Sequence, residues 1–368
     1  MRAAACGRCG FPGQRFFRLP AIRVPSSRFR VPMKWLALDV GGANLKAADG
    51  HGFAISEAFP LWQQQDELAE ALRNLIAQVP KVDHIAATMT GELADCFDTK
   101  TEGVHEILNA IEEAADRRHT RIYLTSGMLV AMAIARRQPL LAAASNWHAL
   151  ARFAGRYAPQ GAGMVIDIGS TTTDIIPLSD GTPTTIGRTD TNRLLNGELV
   201  YSGVERTPLC ALLNAAPFRG RNCPTAAEVF ATTLDVYLTL GDLPEEPANL
   251  HTADRRPATK EGSRGRLARS ICADRDTFNE ADARAMAIAA SEKQLSRIVS
   301  ALKHVLERMP QSPSTIVLSG RGEFLARRAI DSLGLMPRII SLGKELGMEL
   351  SRCAAAHALA VLAQEGPK

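Results

Sequence analysis

The sequence has no apolar run close to the roughly 18 consecutive residues that a membrane-spanning helix needs. Its longest candidates, near 128–135 and 354–363, are short and suit buried helices. Metal-site cysteine spacing is also missing. Cys6-x-x-Cys9 is half of a zinc pattern, but no second pair follows among the seven cysteines. The rest read as reduced thiols, with Cys96 and Cys272 each set beside an aspartate. No short-period repeat is present, which excludes a solenoid. Acidic residues and lysine are absent from 1–32, where seven arginines lie. Removing those seven from the 43 basic residues leaves 36 against 39 acidic ones. The body is thus mildly acidic, and a nucleic-acid partner has no electrostatic footprint there. The extension is Arg-rich and acid-free like a transit peptide, and it lacks the apolar core of a secretory signal. Met33 stands directly before the first predicted strand, so residues 1–32 are read as a disordered extension from a start placed too early. An apolar share of 46% over 368 residues fits a folded chain of two domains.

Against those absences, one pattern occurs twice. Leu38-Asp39-Val40-Gly41-Gly42-Ala43-Asn44-Leu45-Lys46 and Ile166-Asp167-Ile168-Gly169-Ser170-Thr171-Thr172-Thr173-Asp174 lie 128 residues apart. Each is an apolar strand with an Asp near its end, a tight Gly-containing turn and a second strand. Glycine lets backbone bend sharply and approach a ligand. The exposed N–H groups of such a turn cradle phosphate oxygens. An Asp there suits Mg²⁺, which prefers hard oxygen ligands. Two such turns predict a duplicated α/β fold gripping phosphate between its halves.

The remaining pattern fills in the halves. Helices are expected over 66–79, 104–115, 128–136, 146–154, 226–240, 280–309 and 349–363. Strands are expected over 35–40, 44–48, 84–88, 121–125, 164–168, 172–178, 184–187, 315–319 and 338–341. Residues 244–265 read as an exposed loop, and the arginines of 255–269 as a solvated face. His148 reads as a packed residue.

The two hairpins, with Ser319-Gly320-Arg321-Gly322-Glu323, resemble the actin-like ATPase/sugar kinase fold. The narrower run Met89-Thr90-Gly91-Glu92-Leu93-Ala94-Asp95-Cys96-Phe97, with Gly187-Arg188-Thr189-Asp190-Thr191, Gly197-Glu198-Leu199-Val200-Tyr201 and 231–237, resembles the hydantoinase A/oxoprolinase-related group tied to tetrahydromethanopterin-linked one-carbon transfer. The resemblance implies an α/β, two-domain, ribonuclease H-like fold with duplicated phosphate loops. Subdomains are expected over 33–159 and 160–368, the second with a helical insertion at 189–310. It implies a cytoplasmic, methanofuran synthase-like transferase that condenses an aminomethylfuran diphosphate with a tyramine-type phenol and releases pyrophosphate.

On that reading Asp39 and Asp167 hold Mg²⁺, and Glu92, Asp95 and Asp190 compete as proton acceptors. Gly41, Gly42, Asn44, Lys46, Gly169, Ser170, Thr171, Thr172, Thr173 and Asp174 bind phosphate. Ser319, Gly320 and Gly322 line the segment beside an adenosine, where Arg321 departs from the paired glycines of many kinases and would crowd an adenine. The alternative is an ATP-dependent kinase or hydantoinase/oxoprolinase-like hydrolase using the same turns, with ATP as cofactor. The expected partner is a small diphosphate or nucleotide, with further copies of the chain for assembly, and neither nucleic acid nor membrane.

Overall fold

Two apolar strands of equal rank, β1 (Trp35–Val40) and β7 (Ala162–Ile168), each sit at the centre of a sheet. Around β1 lie β2 (Asn44–Ala48), β3 (Ala54–Ala58), β4 (His84–Met89), β5 (His119–Tyr123) and β6 (Leu129–Ala131), in the order β3-β2-β1-β4-β5-β6. The second half contributes β8 (Thr173–Ser179), β9 (Thr182–Pro183), β10 (Leu199–Val200), a separate hairpin of β11 (Ala215–Phe218) and β12 (Arg221–Pro224), then β13 (Thr315–Ser319) and β14 (Arg338–Ser341). Its sheet order is β10-β8-β7-β13-β14, with β9 pairing β8. In both sheets the central strand has its hairpin mate antiparallel on one side and two successive parallel strands on the other. This is a duplicated α/β architecture, with the same strand arrangement repeated in each half. The computed structural model describes residues 34–79 and 81–366. The extension carrying Cys6 and Cys9 lies outside them. Among the described residues no helix is long and apolar enough to cross a membrane.

The helices are α1 (Leu61–Gln64), α2 (Leu68–Ala77), α3 (Lys100–Ala115), α4 (Met132–Arg137), α5 (Pro139–Ala142), α6 (Asn146–Ala154), α7 (Asp190–Leu195), α8 (Thr233–Leu240), α9 (Lys260–Arg269), α10 (Glu280–Leu306), α11 (Glu323–Ser332), α12 (Leu342–Leu346), α13 (Met348–Arg352) and α14 (Ala354–Glu365). Central parallel strands must be covered on both faces, so β1 and β7 read as near-continuous apolar runs. Two helices reach both sheets. Ala149 of α6 and Leu359, Ala360 and Ala363 of α14 pack with Ala37 and Ala86 of the first sheet. Trp147, Leu150 and Ala151 of α6 and Ala354 and Ala358 of α14 pack with Val165, Ile176 and Val317 of the second. The alanines let the helices approach both sheets closely.

Several local readings yield to distant partners. The helix expected over 128–136 begins as an edge strand, because Leu129–Ala131 pairs with β5. The strand expected over 184–187 does not form. The Ile186 and Gly187 amides donate instead to the buried Glu198 carboxylate, at 2.7 and 2.9 Å. The helix of 226–240 starts only at Thr233, where Thr232 and Asp235 form a capping box. The chain's last helix is divided at Cys353.

The largest correction concerns 244–269. Helix α9 occupies its end, capped by Thr259, and Arg266 is fully buried. Its guanidinium meets Asp235 at 2.7 Å and Asp254 at 3.0 Å, so this stretch is no solvated face. A buried Arg stripped of its partner role leaves an uncompensated carboxylate. Arg266→Ala is therefore expected to destabilise the protein by about 3–5 kcal/mol. Arg275→Ala, which removes a half-exposed pair with Glu261, should change stability by less than about 1 kcal/mol. Urea unfolding of both variants checks the contrast.

Candidate active site

The two turns share their hydrogen bonds as well as their sequence pattern. Gly41 N–H donates to the Asn44 carbonyl at 3.0 Å, and Gly169 N–H donates to that of Thr172 at 2.9 Å. The last residue of each central strand accepts from a glycine amide beyond the neighbouring parallel strand. Val40 takes Gly91 at 3.0 Å, and Ile168 takes Gly322 at 2.9 Å. Within the turns the carbonyls are tied off. Gly42 and Ala43 accept from Leu61 and Phe59, both at 3.0 Å. Gly169 accepts from Val204 at 3.0 Å, and Ser170 from Glu205 at 3.1 Å and Arg206 at 3.0 Å. An anion site needs donors in front and acceptors held elsewhere, and this bracing supplies the second condition.

Gly203 supports the second turn. A Cβ there would lie 2.5 Å from the Gly169 carbonyl oxygen and the Thr171 nitrogen. Gly203 is itself pinned, its carbonyl accepting from Thr233 Oγ1 and from Gln294 Nε2 of α10, both at 2.8 Å. The long helix thus sets the height of the turn. Gly320 has φ of +84°, and a Cβ on it would strike the Asp167 carboxylate at 2.7 Å. Its role in the structure is to let the β13 turn pass behind Asp167.

Register sets the charges. Asp39 lies opposite Lys46 on β2 and Thr88 on β4. Asp167 lies opposite Asp174 on β8 and Ser319 on β13. Burial raises the Asp39 pKa, while Lys46 and a hydrogen bond from the Asn146 side chain oppose the rise. Its Oδ1 is buried without a partner. Burial, then Asp174, push Asp167 up to about 7, against the Ser319 hydroxyl and Lys46. Lys46 therefore stands close enough to favour the charged form of both aspartates. Asp174 is spent inside the fold. Arg193 meets it at 2.7 Å, stacks 4.0 Å from the Trp147 ring centre and donates to the Glu198 carbonyl at 3.1 Å. Thr173 is spent likewise, its hydroxyl donating to the Ser202 carbonyl at 2.8 Å. The Ser170 and Thr171 hydroxyls are half-buried and 3.3 Å apart.

Glu92 is 1% exposed, with Oε2 unpartnered. Burial pushes its pKa to about 7, with Asp190 raising it further and Lys100 and the Ala144 backbone opposing. Lys100 and Asp190 pair at 3.0 Å and join α3 to α7. Asp95 is exposed and stands apart from this group. Arg321 is engaged by Glu205 at 2.9 Å and Glu246 at 2.8 Å. His148 packs as expected, with the Tyr123 hydroxyl 2.9 Å from Nδ1. Sequence reasoning missed Ala144, Asn146, Arg193, Gly203 and Arg206. Ser145-Asn146 opening a helix was the only local signal among them.

Residues 83–365 match the family model described as Hydantoinase/oxoprolinase. The chain is similar to a (4-{4-[2-(gamma-L-glutamylamino)ethyl]phenoxymethyl}furan-2-yl)methanamine synthase of Methanocaldococcus jannaschii, 34% identical over 333 residues, which are 90% of this chain and 97% of that one. A protein of the same name from Methanococcus vannielii is 32% identical over 201 residues, 54% of this chain and 89% of that one. Among solved structures, an inorganic polyphosphate/ATP-glucomannokinase from Arthrobacter sp. strain KM aligns over 89% of this chain and 97% of its own, at 13% identity and a TM-score of 0.44. The chain belongs to the hydantoinase/oxoprolinase family.

The raised carboxyls make a pH prediction. Glu92 binds its proton more tightly folded, near 7, than at its ordinary 4.5. Its contribution to stability is full below that lower value and is lost as pH rises through about 7. Glu92→Gln should flatten the stability profile between these values by up to about 3 kcal/mol. Chemical unfolding at several pH values checks this, and an unchanged slope would contradict it.

Proposed function

We propose that this family member is a transferase that forms an aryl furfuryl ether from a furan diphosphate and a phenol. The relatives' name describes a furan bearing a methanamine group and a phenoxymethyl arm, so the ether is the bond their name attributes to a synthase. What supports the reading in this chain is a pair of braced turns with Lys46 beside both central aspartates, and a buried Glu92 with one unpartnered oxygen next to Gly91, which packs on the first turn.

The phenol oxygen bonds to the furfuryl carbon as the carbon–oxygen bond to the diphosphate breaks. Pyrophosphate leaves with the bonding electrons. The phenolic proton passes to Glu92, whose pKa near 7 suits a base at neutral pH. Asp190 favours proton uptake by Glu92, and Lys100, paired with Asp190 at 3.0 Å, opposes it. Lys46 and the Gly42 and Ser170 amides, beyond the Gly41 and Gly169 amides that close the turns, take the charge developing on the leaving group. Holding both reactants in one cleft supplies much of the remaining acceleration.

Mg²⁺ fits this arrangement. The buried, unpartnered Oδ1 of Asp39 and the charge-crowded Asp167 are hard donors for it. Among the described residues no three His, Cys, Asp or Glu side chains cluster tightly enough to hold a metal, so phosphate oxygens and water must complete its shell. When bound, the ion would supply further neutralisation of the diphosphate.

Residues 33–368 incubated with Mg²⁺, ATP, aminomethylfuran diphosphate and a tyramine-type phenol, followed by phosphorus NMR, should yield pyrophosphate and the ether with ATP intact. ADP appearing while the furan diphosphate persists would replace this reading with the ATP-dependent one. Glu92→Gln should lower kcat by roughly 10²–10⁴-fold with little change in KM, whereas Asp95→Asn should leave both close to wild type.

A further inference from the structure

Two side chains that no motif singled out spring from the braces behind the turns. Trp62 follows Leu61, whose amide holds the Gly42 carbonyl of the first turn. The amide of Arg206 holds the Ser170 carbonyl of the second. The guanidinium of Arg206 lies over the Trp62 ring, 5.8 Å from its centre. Trp62 is 40% exposed, and Arg206 is exposed as well. This contact spans from the first half of the chain to the second, alongside the Lys100–Asp190 pair.

We propose that Arg206, steadied by Trp62, binds the terminal phosphate of the diphosphate group held between the turns. The inference rests on reading those turns as the diphosphate site. Two arginines flank the second turn, and their circumstances differ. Arg321 is spent on Glu205 and Glu246. Among the described residues no carboxylate forms an ion pair with Arg206, so its five donors are uncommitted. A planar guanidinium matches phosphate oxygens bidentately. The aromatic face beneath it limits the orientations it samples without consuming a donor. Because its own backbone N–H braces Ser170, the residue cannot drift from the turn it serves. Lys46 sits at the aspartates, and Arg206 extends the cationic lining outward, as a two-phosphate ligand requires. The recognised chemistry is a terminal phosphate, whether on a furfuryl or a nucleoside diphosphate.

Calorimetric titration with inorganic pyrophosphate tests the assignment. Arg206→Ala should weaken binding about 10- to 100-fold while the unfolding midpoint stays near wild type. Arg206→Lys should recover only part of the loss, since a point charge lacks the fork. Trp62→Phe should keep most of the affinity, and Trp62→Ala should lose several-fold. Wild-type affinity in a folded Arg206→Ala protein would overturn the proposal and leave the pair an ordinary surface contact. Parallel titrations with ADP and with the furan diphosphate identify the source, the tighter wild-type ligand being the one served. A wild-type protein that binds pyrophosphate but makes no ether would sink the transferase reading and leave this assignment standing. Ether synthesis beside unimpaired pyrophosphate binding by Arg206→Ala would do the reverse.

Discussion

Five consecutive residues at the start of α6, Ala144 to His148, touch the polar groups of both halves. Ala144, at φ of +46°, turns its backbone toward Glu92. The Ser145 hydroxyl meets that of Thr88 at 2.7 Å and donates to the Tyr123 carbonyl at 3.0 Å. Asn146 bonds Asp39. Trp147 carries Arg193, which holds Asp174. His148 fixes Tyr123. A left-handed non-glycine backbone costs energy unless its surroundings dictate it, and here several buried hydrogen bonds do so. Since α6 also packs on both sheets, a shift of this corner would move Glu92, Asp39 and the Arg193–Asp174 pair together.

The two halves repeat one hairpin, and the residues opposite their central aspartates differ. Lys46 and Asp174 occupy equivalent places opposite the two central aspartates. The first half thereby gained a cation that serves both aspartates. The second gained a carboxylate that needs its own buried partner, Arg193. That debt explains why α7 and the Glu198 segment fold as they do. Glu198 accepts from the Ile186 and Gly187 amides, its carbonyl accepts from Arg193, and the local strand is given up. Helices α8 and α10 act on the second turn through Gly203, by way of Thr233 and Gln294.

Strands β1, β2, β13 and β14 were legible to the residue, because apolar runs bounded by turns are local signals. Asp39, Lys46 and Asp167 were legible for the same reason, their spacing being fixed within single hairpins. Arg266 was illegible. Its charge argued for solvent, and Asp235, 31 residues away, together with Asp254 makes its burial tolerable. The 184–187 strand failed through Glu198, and the 128–136 helix through β5, again by contacts that no local window contains. Asn146 and Arg206 escaped notice because their significance lies in what the fold brings against them. Thr173 and Asp174 sit in the right motif, yet β8 is covered on both faces, and the two side chains are spent on Ser202 and Arg193.

The account stands or falls on the two turns acting as one anion site around Lys46. A crystal structure of the protein with Mg²⁺ and pyrophosphate tests that most directly. The account predicts density for pyrophosphate bridging the Gly42 and Ser170 amides, within reach of Lys46 Nζ. Pyrophosphate bound to only one turn, or seated away from both while Lys46 stays unengaged, would contradict it.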